Sequence, residues 1–221
     1  MSSIFDIIGP VMIGPSSSHT AGAARLGKMA LSMFHERPDS VTMTLYGSFA
    51  KTYRGHGTNR ALVAGLLGMD ADDARIRDSL EIAQQENFQY TFIESEVDAG
   101  HPNTVRFNMY GKDGKHMSVT GSSLGGGRVA VTNIDGIDVD ITGEEHQIIA
   151  FHTDQPGVIA GVTHILGLAG INISSMRVFR KRKGSEAVML ISTDSDVDEV
   201  ALQQIKEVPG ISSVMYFEPL E

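Results

Sequence analysis

Two short histidine motifs carry the chemistry this chain could do. Gly14-Pro15-Ser16-Ser17-Ser18-His19-Thr20 stands directly before one helical pattern, and Gly55-His56-Gly57-Thr58-Asn59 directly before another. A helix start exposes unpaired N–H groups and a partial positive charge. Ser and Thr there either cap the helix or turn their hydroxyls to a ligand, which makes a seat for a carboxylate or phosphate. One serine suffices for a plain N-cap, and three serines with a histidine exceed that need. The glycines around His56 permit unusual backbone angles and close ligand approach, and Thr58 or Asn59 can cap the helix that follows. A histidine at the positive end of a helix has its protonated form disfavoured. His56 is therefore expected to be neutral near physiological pH, as a general base requires. The plainer readings are an ordinary cap and a glycine-rich turn with an incidental histidine.

Two weaker motifs follow. Gly100-His101-Pro102-Asn103-Thr104 reads alone as a turn between strands, and Ser122-Ser123-Leu124-Gly125-Gly126-Gly127 as a nest of backbone N–H groups for an anion or as a plain glycine-rich bend. No Gly-Lys-Ser/Thr follows it, so it is not a Walker motif. His35, His116, His146, His152 and His164 have no companion motif and read as structural or solvated. The chain has no cysteine, which excludes a thiolate nucleophile and thiolate metal ligands; no metal site is expected on it. The residues can hold and deprotonate a small anion, yet the site looks partial, with its remainder on another polypeptide.

The elements that must position these residues are legible from periodicity. Leu26, Met29, Ala30, Met33 and Phe34 recur at helical spacing over residues 21–34. Residues 41–46 alternate as a strand, a second helix starts near Thr58, and a third spans 73–86. Strands are expected over 90–97, 104–110, 116–121 and 129–134, with Gly111-Lys112-Asp113-Gly114 as a hairpin signal. A boundary, partly linker, is expected at 135–145. Beyond it come a strand at 148–152, a turn at Asp154-Gln155-Pro156-Gly157, and a helix at 158–168. A hairpin of 171–179 with 187–192, a helix at 197–206 and a strand at 211–217 complete the chain. That order is β-α-β-β-α-β. The domains are thus read as 1–140 and 148–221, an α+β protein.

At 221 residues with a formal charge of −9 and a pI near 5.3, neither nucleic acid nor an anionic membrane is an expected partner, since both favour clustered Lys and Arg. The basic run Arg180-Lys181-Arg182-Lys183 reads as a solvated hairpin turn. The first residues lack a basic n-region, no apolar run spans a bilayer, and a cytoplasmic location is expected.

The C-terminal segment resembles an ACT domain, on Asp154-Gln155-Pro156-Gly157-Val158 at the first strand–helix junction and Gly170-Ile171-Asn172-Ile173 opening the second strand. That resemblance implies a ferredoxin-like βαββαβ fold, self-association through ACT domains, and an amino-acid effector held by Asp154, Gly157, Val158 and Asn172. Taken together, residues 14–20, 55–59, 101–104 and 122–127 are similar to the β chain of the bacterial iron–sulfur L-serine dehydratase (L-serine ammonia-lyase) family. The N-terminal α/β part is also similar in fold to the allosteric substrate-binding domain of some phosphoglycerate dehydrogenases. The family resemblance implies a lyase converting L-serine to pyruvate and ammonia. It further implies a 4Fe-4S cluster held by a separate cysteine-bearing α subunit of L-serine dehydratase, and potassium (K+) dependence. His56 is the first candidate for the base and His19 the second, as base or as hydrogen-bond donor. Ser16, Ser17, Ser18, Thr20, Thr58, Asn59, His101, Asn103, Ser122, Gly125 and Gly126 are the candidate substrate contacts. Two other readings stay open: a non-catalytic amino-acid sensor, and a self-contained Ser–His hydrolase, against which the missing Gly-x-Ser-x-Gly elbow speaks.

Overall fold

The apolar stripe over residues 21–34 becomes α1 (Gly22–Phe34), which buries Leu26, Met29, Ala30, Met33 and Phe34. Burial of each large side chain is worth about 1.5–3 kcal/mol, so this face fixes α1 in place. The computed structural model to which α1 belongs describes residue 14 and residues 16–219. The segment expected to carry no leader lies outside those residues. The chain divides into two compact units, 1–136 and 137–221.

In the first unit α1 is entered through a π-helical turn, Ser17–Ala21. Such turns are rare and frequent at functional sites. The unit continues with β1 (Ser40–Tyr46), α2 (Gly47–Thr52), α3 (Thr58–Leu66), a 3-10 segment (Ala74–Asp78) and α4 (Ser79–Gln85). Strands β2 (Gln89–Ser95), β3 (Asn103–Tyr110), β4 (His116–Gly125) and β5 (Arg128–Ile134) complete it. Its strands lie in the order β2-β1-β3-β4-β5, with β1 and β2 parallel and the other pairs antiparallel. Alternation sets the faces: Val41, Met43 and Leu45 of β1 and Val105, Phe107 and Met109 of β3 are buried.

Helices α1 and α3 touch backbone to backbone. A Cβ added to Gly27 would lie 2.5 Å from the Leu62 carbonyl oxygen, and one on Gly65 would lie 2.7 Å from Lys28 N and 2.9 Å from Gly27 Cα. Only glycine permits that approach. The consequence is functional, because each helix begins at one of the two histidine motifs.

Three sequence expectations are corrected. Helix α2 stands where the sequence shows no helical pattern, since six residues are too few for a periodic signal. The single helix expected over 73–86 is a 3-10 turn capped by Asp73, whose carboxylate accepts from Arg75 N at 2.8 Å, followed by α4. The stretch expected to be partly linker contains a strand, β6 (Ile137–Ile141), in the second unit, where Ile137, Val139 and Ile141 are buried. Its Asp and Gly density hid a period-2 pattern.

The second unit continues with β7 (His146–Thr153), α5 (Val158–Leu168), β8 (Ile173–Arg180), β9 (Glu186–Thr193), α6 (Glu199–Lys206) and β10 (Ile211–Phe217). The four-stranded antiparallel sheet has the order β10-β7-β9-β8, the ferredoxin-like arrangement expected. Ile148, Ala150, Met189, Ile191 and Val214 of the sheet pack with Val158, Val162 and Leu166 of α5 and Leu202 and Ile205 of α6. The basic run lies in the β8–β9 hairpin, as read from the sequence.

Candidate active site

His19 and His56 meet. Their ring centroids are 4.7 Å apart and the planes are nearly perpendicular, at 86°. Two helix starts bring them together: the π turn leading into α1 and the Gly57 N-cap of α3, whose φ of 74° suits glycine.

The two imidazoles differ in surroundings. His19 is buried, 8% exposed. Its Nδ1 faces Ser18 Oγ at 3.2 Å and Ser16 Oγ at 3.4 Å, and its Nε2 faces Ser48 Oγ at 3.1 Å. Phe49 stands edge-on at 5.3 Å between ring centroids. Ser16 Oγ accepts from His19 N at 3.2 Å, and the Thr20 hydroxyl donates to the Ser16 carbonyl. Burial first, then the neighbouring His56, holds the His19 imidazole below its ordinary pKa of 6.5. His19 is thus neutral at physiological pH. His56, by contrast, is exposed; its backbone N–H donates to Thr52 O at 3.0 Å. Among the described residues its imidazole has a ring neighbour in His19 and no hydrogen-bond partner.

A measurable consequence follows from the order of the two causes. In a His56→Ala variant the titration of His19, followed by imidazole NMR, moves up toward 6.5 yet stays below it, because burial is the larger cause and remains. A fall, or no movement, would contradict the electrostatic contact.

The third and fourth motifs are tied to the same place. His101 Nδ1 accepts from Asn103 N at 3.2 Å, and Thr104 Oγ1 donates to His101 O at 2.8 Å. The Thr104 and Ser122 hydroxyls bond across β3 and β4 at 2.7 Å. The turn is joined to α2: Ser48 N–H donates to Pro102 O at 2.6 Å and Phe49 N–H at 3.2 Å. Ser123 packs against Gly22 in the first turn of α1, where a Cβ would lie 2.8 Å from Ser123 Cβ. Gly125, Gly126 and Gly127 instead form the β4–β5 turn, with φ of 92°, 63° and 81°. Successive residues of one sign do not alternate as a nest does. No hydrogen bond among the described residues ties Gly125 or Gly126 to the histidine pair.

Four side-chain atoms here are buried without a partner among the described residues: Thr58 Oγ1, Asn59 Oδ1, Asn103 Oδ1 and Ser123 Oγ. An unmet buried polar atom costs about 1–3 kcal/mol, and native proteins keep few. These four fall on three of the four motifs. Ser48, Phe49 and Ser123 were not singled out from the sequence. Only Ser123 had a signal, its place inside a motif already flagged; the other two act through tertiary contacts.

A cleft of about 800 Å³ opens beside α2, lined by Gly47, Lys51, Glu94, Glu96, Asp98 and His101 among others. Neither His19 nor His56 lines it. Its carboxylates outnumber its one lysine, which disfavours an anionic substrate, so the histidine pair is the stronger candidate for chemistry.

In the second unit the Asp154 carboxylate accepts from Gly184 N at 2.9 Å and from Arg180 Nη1 at 2.6 Å, and these bonds, the Gly184 one first, hold it below the usual carboxylate range. Gly157, with φ of 97°, caps α5, and the Val158 side chain is buried in the core. Asn172 Nδ2 donates to Asp194 Oδ2 at 2.5 Å. Val158 therefore offers a ligand its backbone N–H, while Asp154 and Asn172 already have partners.

Residues 3–87 match the family described as Serine dehydratase beta chain, and residues 146–210 match the ACT domain. The chain is 42% identical over 212 residues to the probable L-serine dehydratase, beta chain, of Bacillus subtilis, covering 96% of each chain. It is 37% identical to the L-serine dehydratase, beta chain, of Peptoniphilus asaccharolyticus, covering 98% of each. It is also 31% identical to the D-3-phosphoglycerate dehydrogenase of Methanocaldococcus jannaschii, over 87% of this chain and 36% of that one.

Proposed function

The chain belongs to the serine dehydratase β-chain family, and on that footing we propose that it is the β subunit of an L-serine dehydratase whose site is completed by a separate cysteine-bearing α subunit. The observation that carries this reading is the His19–His56 contact, built by two helix starts within the stretch that matches the β-chain family, on a chain with no cysteine.

The proposed reaction converts L-serine to pyruvate and ammonia. The exposed His56 imidazole takes the Cα proton, being accessible and having no hydroxyl partner among the described residues. His19, neutral and held on both ring nitrogens by serine hydroxyls, packs against the His56 ring and sets its place. The hydroxyls of Ser16, Ser17, Ser18 and Thr20, with Thr58, Asn59 and Asn103, orient the carboxylate and amine; correct placement alone is worth orders of magnitude in rate. Loss of the Cα proton and the β-hydroxyl as water gives aminoacrylate, which tautomerises and hydrolyses without further catalysis.

With no cysteine, and no grouping of three His, Asp or Glu suited to a metal among the described residues, this chain's side chains do not fit a 4Fe-4S cluster. The cluster and its help to the leaving hydroxyl are proposed for the α subunit, and the potassium requirement is proposed on family likeness alone. ACT self-association is supported by β8, an edge strand with Met176 and Val178 more than a third exposed. Serine as effector is proposed at the Gly157–Val158 helix start. No helix among the described residues is long and apolar enough to cross a membrane, which is compatible with the proposed cytoplasmic location.

A chain-swap experiment tests the division of labour. Air-exposed β chain recombined anaerobically with fresh α chain should form pyruvate from L-serine at the untreated rate. Fresh β chain with air-exposed α chain should not. The opposite pattern would put the oxygen-sensitive group on this chain and sink the proposal; silence in every combination would favour a sensor.

A further inference from the structure

We propose that Ser48 is a positioning residue for the histidine pair, fixing the His19 ring through its side chain and the His101–Asn103 turn through its backbone. The inference rests on the reading of His19 and His56 as the site of chemistry.

Ser48 makes both bonds at once. Its Oγ is the partner of His19 Nε2, at 3.1 Å. Its N–H donates to the Pro102 carbonyl at 2.6 Å. Its own carbonyl accepts from Thr52 Oγ1 at 2.8 Å, which holds the first turn of α2. Gly47 makes the arrangement possible. It has φ of 56°, and a Cβ there would lie 2.7 Å from Pro102 Cα. Gly47 also bridges to Asn103 across the turn. One short segment therefore registers residues of the first motif against residues of the third, although some eighty positions separate them in the chain.

The side-chain bond is satisfied in either tautomer of the ring. Nδ1 has two hydroxyls beside it, from Ser16 and Ser18, whereas Nε2 has one. When Nδ1 accepts, Nε2–H donates to Ser48; when Nδ1 carries the proton, Ser48 donates to Nε2. Without Ser48 Oγ, Nε2 is left buried and unpaired, and the ring loses the contact that sets its tilt toward His56. A ring displaced by about 1 Å costs on the order of 10²-fold in rate.

The test uses Ser48→Ala and Ser48→Thr in the full chain, with two readouts. In the chain alone, histidine 15N correlation spectra should show the His19 Nε2 resonance displaced in Ser48→Ala and restored in Ser48→Thr. In the pair with the α subunit, kcat for pyruvate formation from L-serine should fall about 10²-fold in Ser48→Ala, with KM changed far less. Ser48→Thr, which keeps the hydroxyl and the backbone, should recover most of it. An unchanged Nε2 resonance in Ser48→Ala overturns the bond. A displaced resonance with unchanged kcat overturns the positioning role. A wild-type pair that makes no pyruvate defeats the serine reading instead, and the spectra still decide whether Ser48 holds His19.

Discussion

Replacing His56 by alanine in the two-chain enzyme lowers kcat for pyruvate formation by about 10²–10⁴-fold, the range a general base contributes. The expectation rests on the contrast between the two imidazoles. His19 has a hydroxyl or two within 3.1–3.4 Å of each ring nitrogen, whereas His56 is exposed and has none among the described residues. A base must receive a proton from carbon, so the imidazole without hydroxyl partners is the one suited to the task. The effect should fall on kcat more than on KM, since the bond to the Cα proton forms in the transition state. Steady-state kinetics of the paired variant check it; turnover within a few-fold of the unaltered pair would remove His56 from the role.

The second large effect concerns stability. Gly65→Ala in α3 drives a methyl group into the α1 backbone, against the Ala24 carbonyl, Lys28 N and Gly27 Cα. Backbone atoms cannot swing aside as a side-chain tip can. The helices must separate, at a cost on the order of 3 kcal/mol. For a chain of this size that lowers the melting temperature by roughly 6–12 °C. Gly167→Ala is the matched control: Gly167 lies within α5 and a Cβ there meets nothing within 4 Å. It should be neutral or stabilising by about 0.5–1 kcal/mol. Thermal melts of the two variants, followed by circular dichroism, decide the matter, and equal melting temperatures would contradict the close crossing. Because α1 and α3 each start at a histidine motif, Gly65→Ala should also loosen the His19–His56 contact in whatever fraction remains folded.

Much of the fold was legible in residue order. From β7 to β10 each element is legible, because the apolar runs are long and the turns carry Pro156-Gly157, Gly170 and Pro209-Gly210. Helix α2 and strand β6 are not, for opposite reasons. α2 is too short to show a period, and the alternation of Ile137, Val139 and Ile141 was masked by the aspartates between them. Within the site, the two histidine motifs announced themselves through residue types that exceed what capping needs. That they meet was not readable, since the approach depends on glycines in mid-helix, Gly27 and Gly65, which look in sequence like mere helix weakeners. Ser48 was invisible for the same reason: its partners, His19 and Pro102, are distant in the chain and near only after β1 and β3 have paired. At Gly125 and Gly126 the sequence leaves a hairpin turn and an anion nest both open, because the two draw on the same residue type, and the positive φ at each fits the turn.

The most direct test of the central claim is anaerobic pyruvate formation from L-serine, measured with this chain alone, with the cysteine-bearing α subunit alone, and with the two together. A site shared between chains predicts turnover in the mixture and none in either chain by itself. Turnover by this chain alone, or by the α subunit at the full rate without it, would contradict the account.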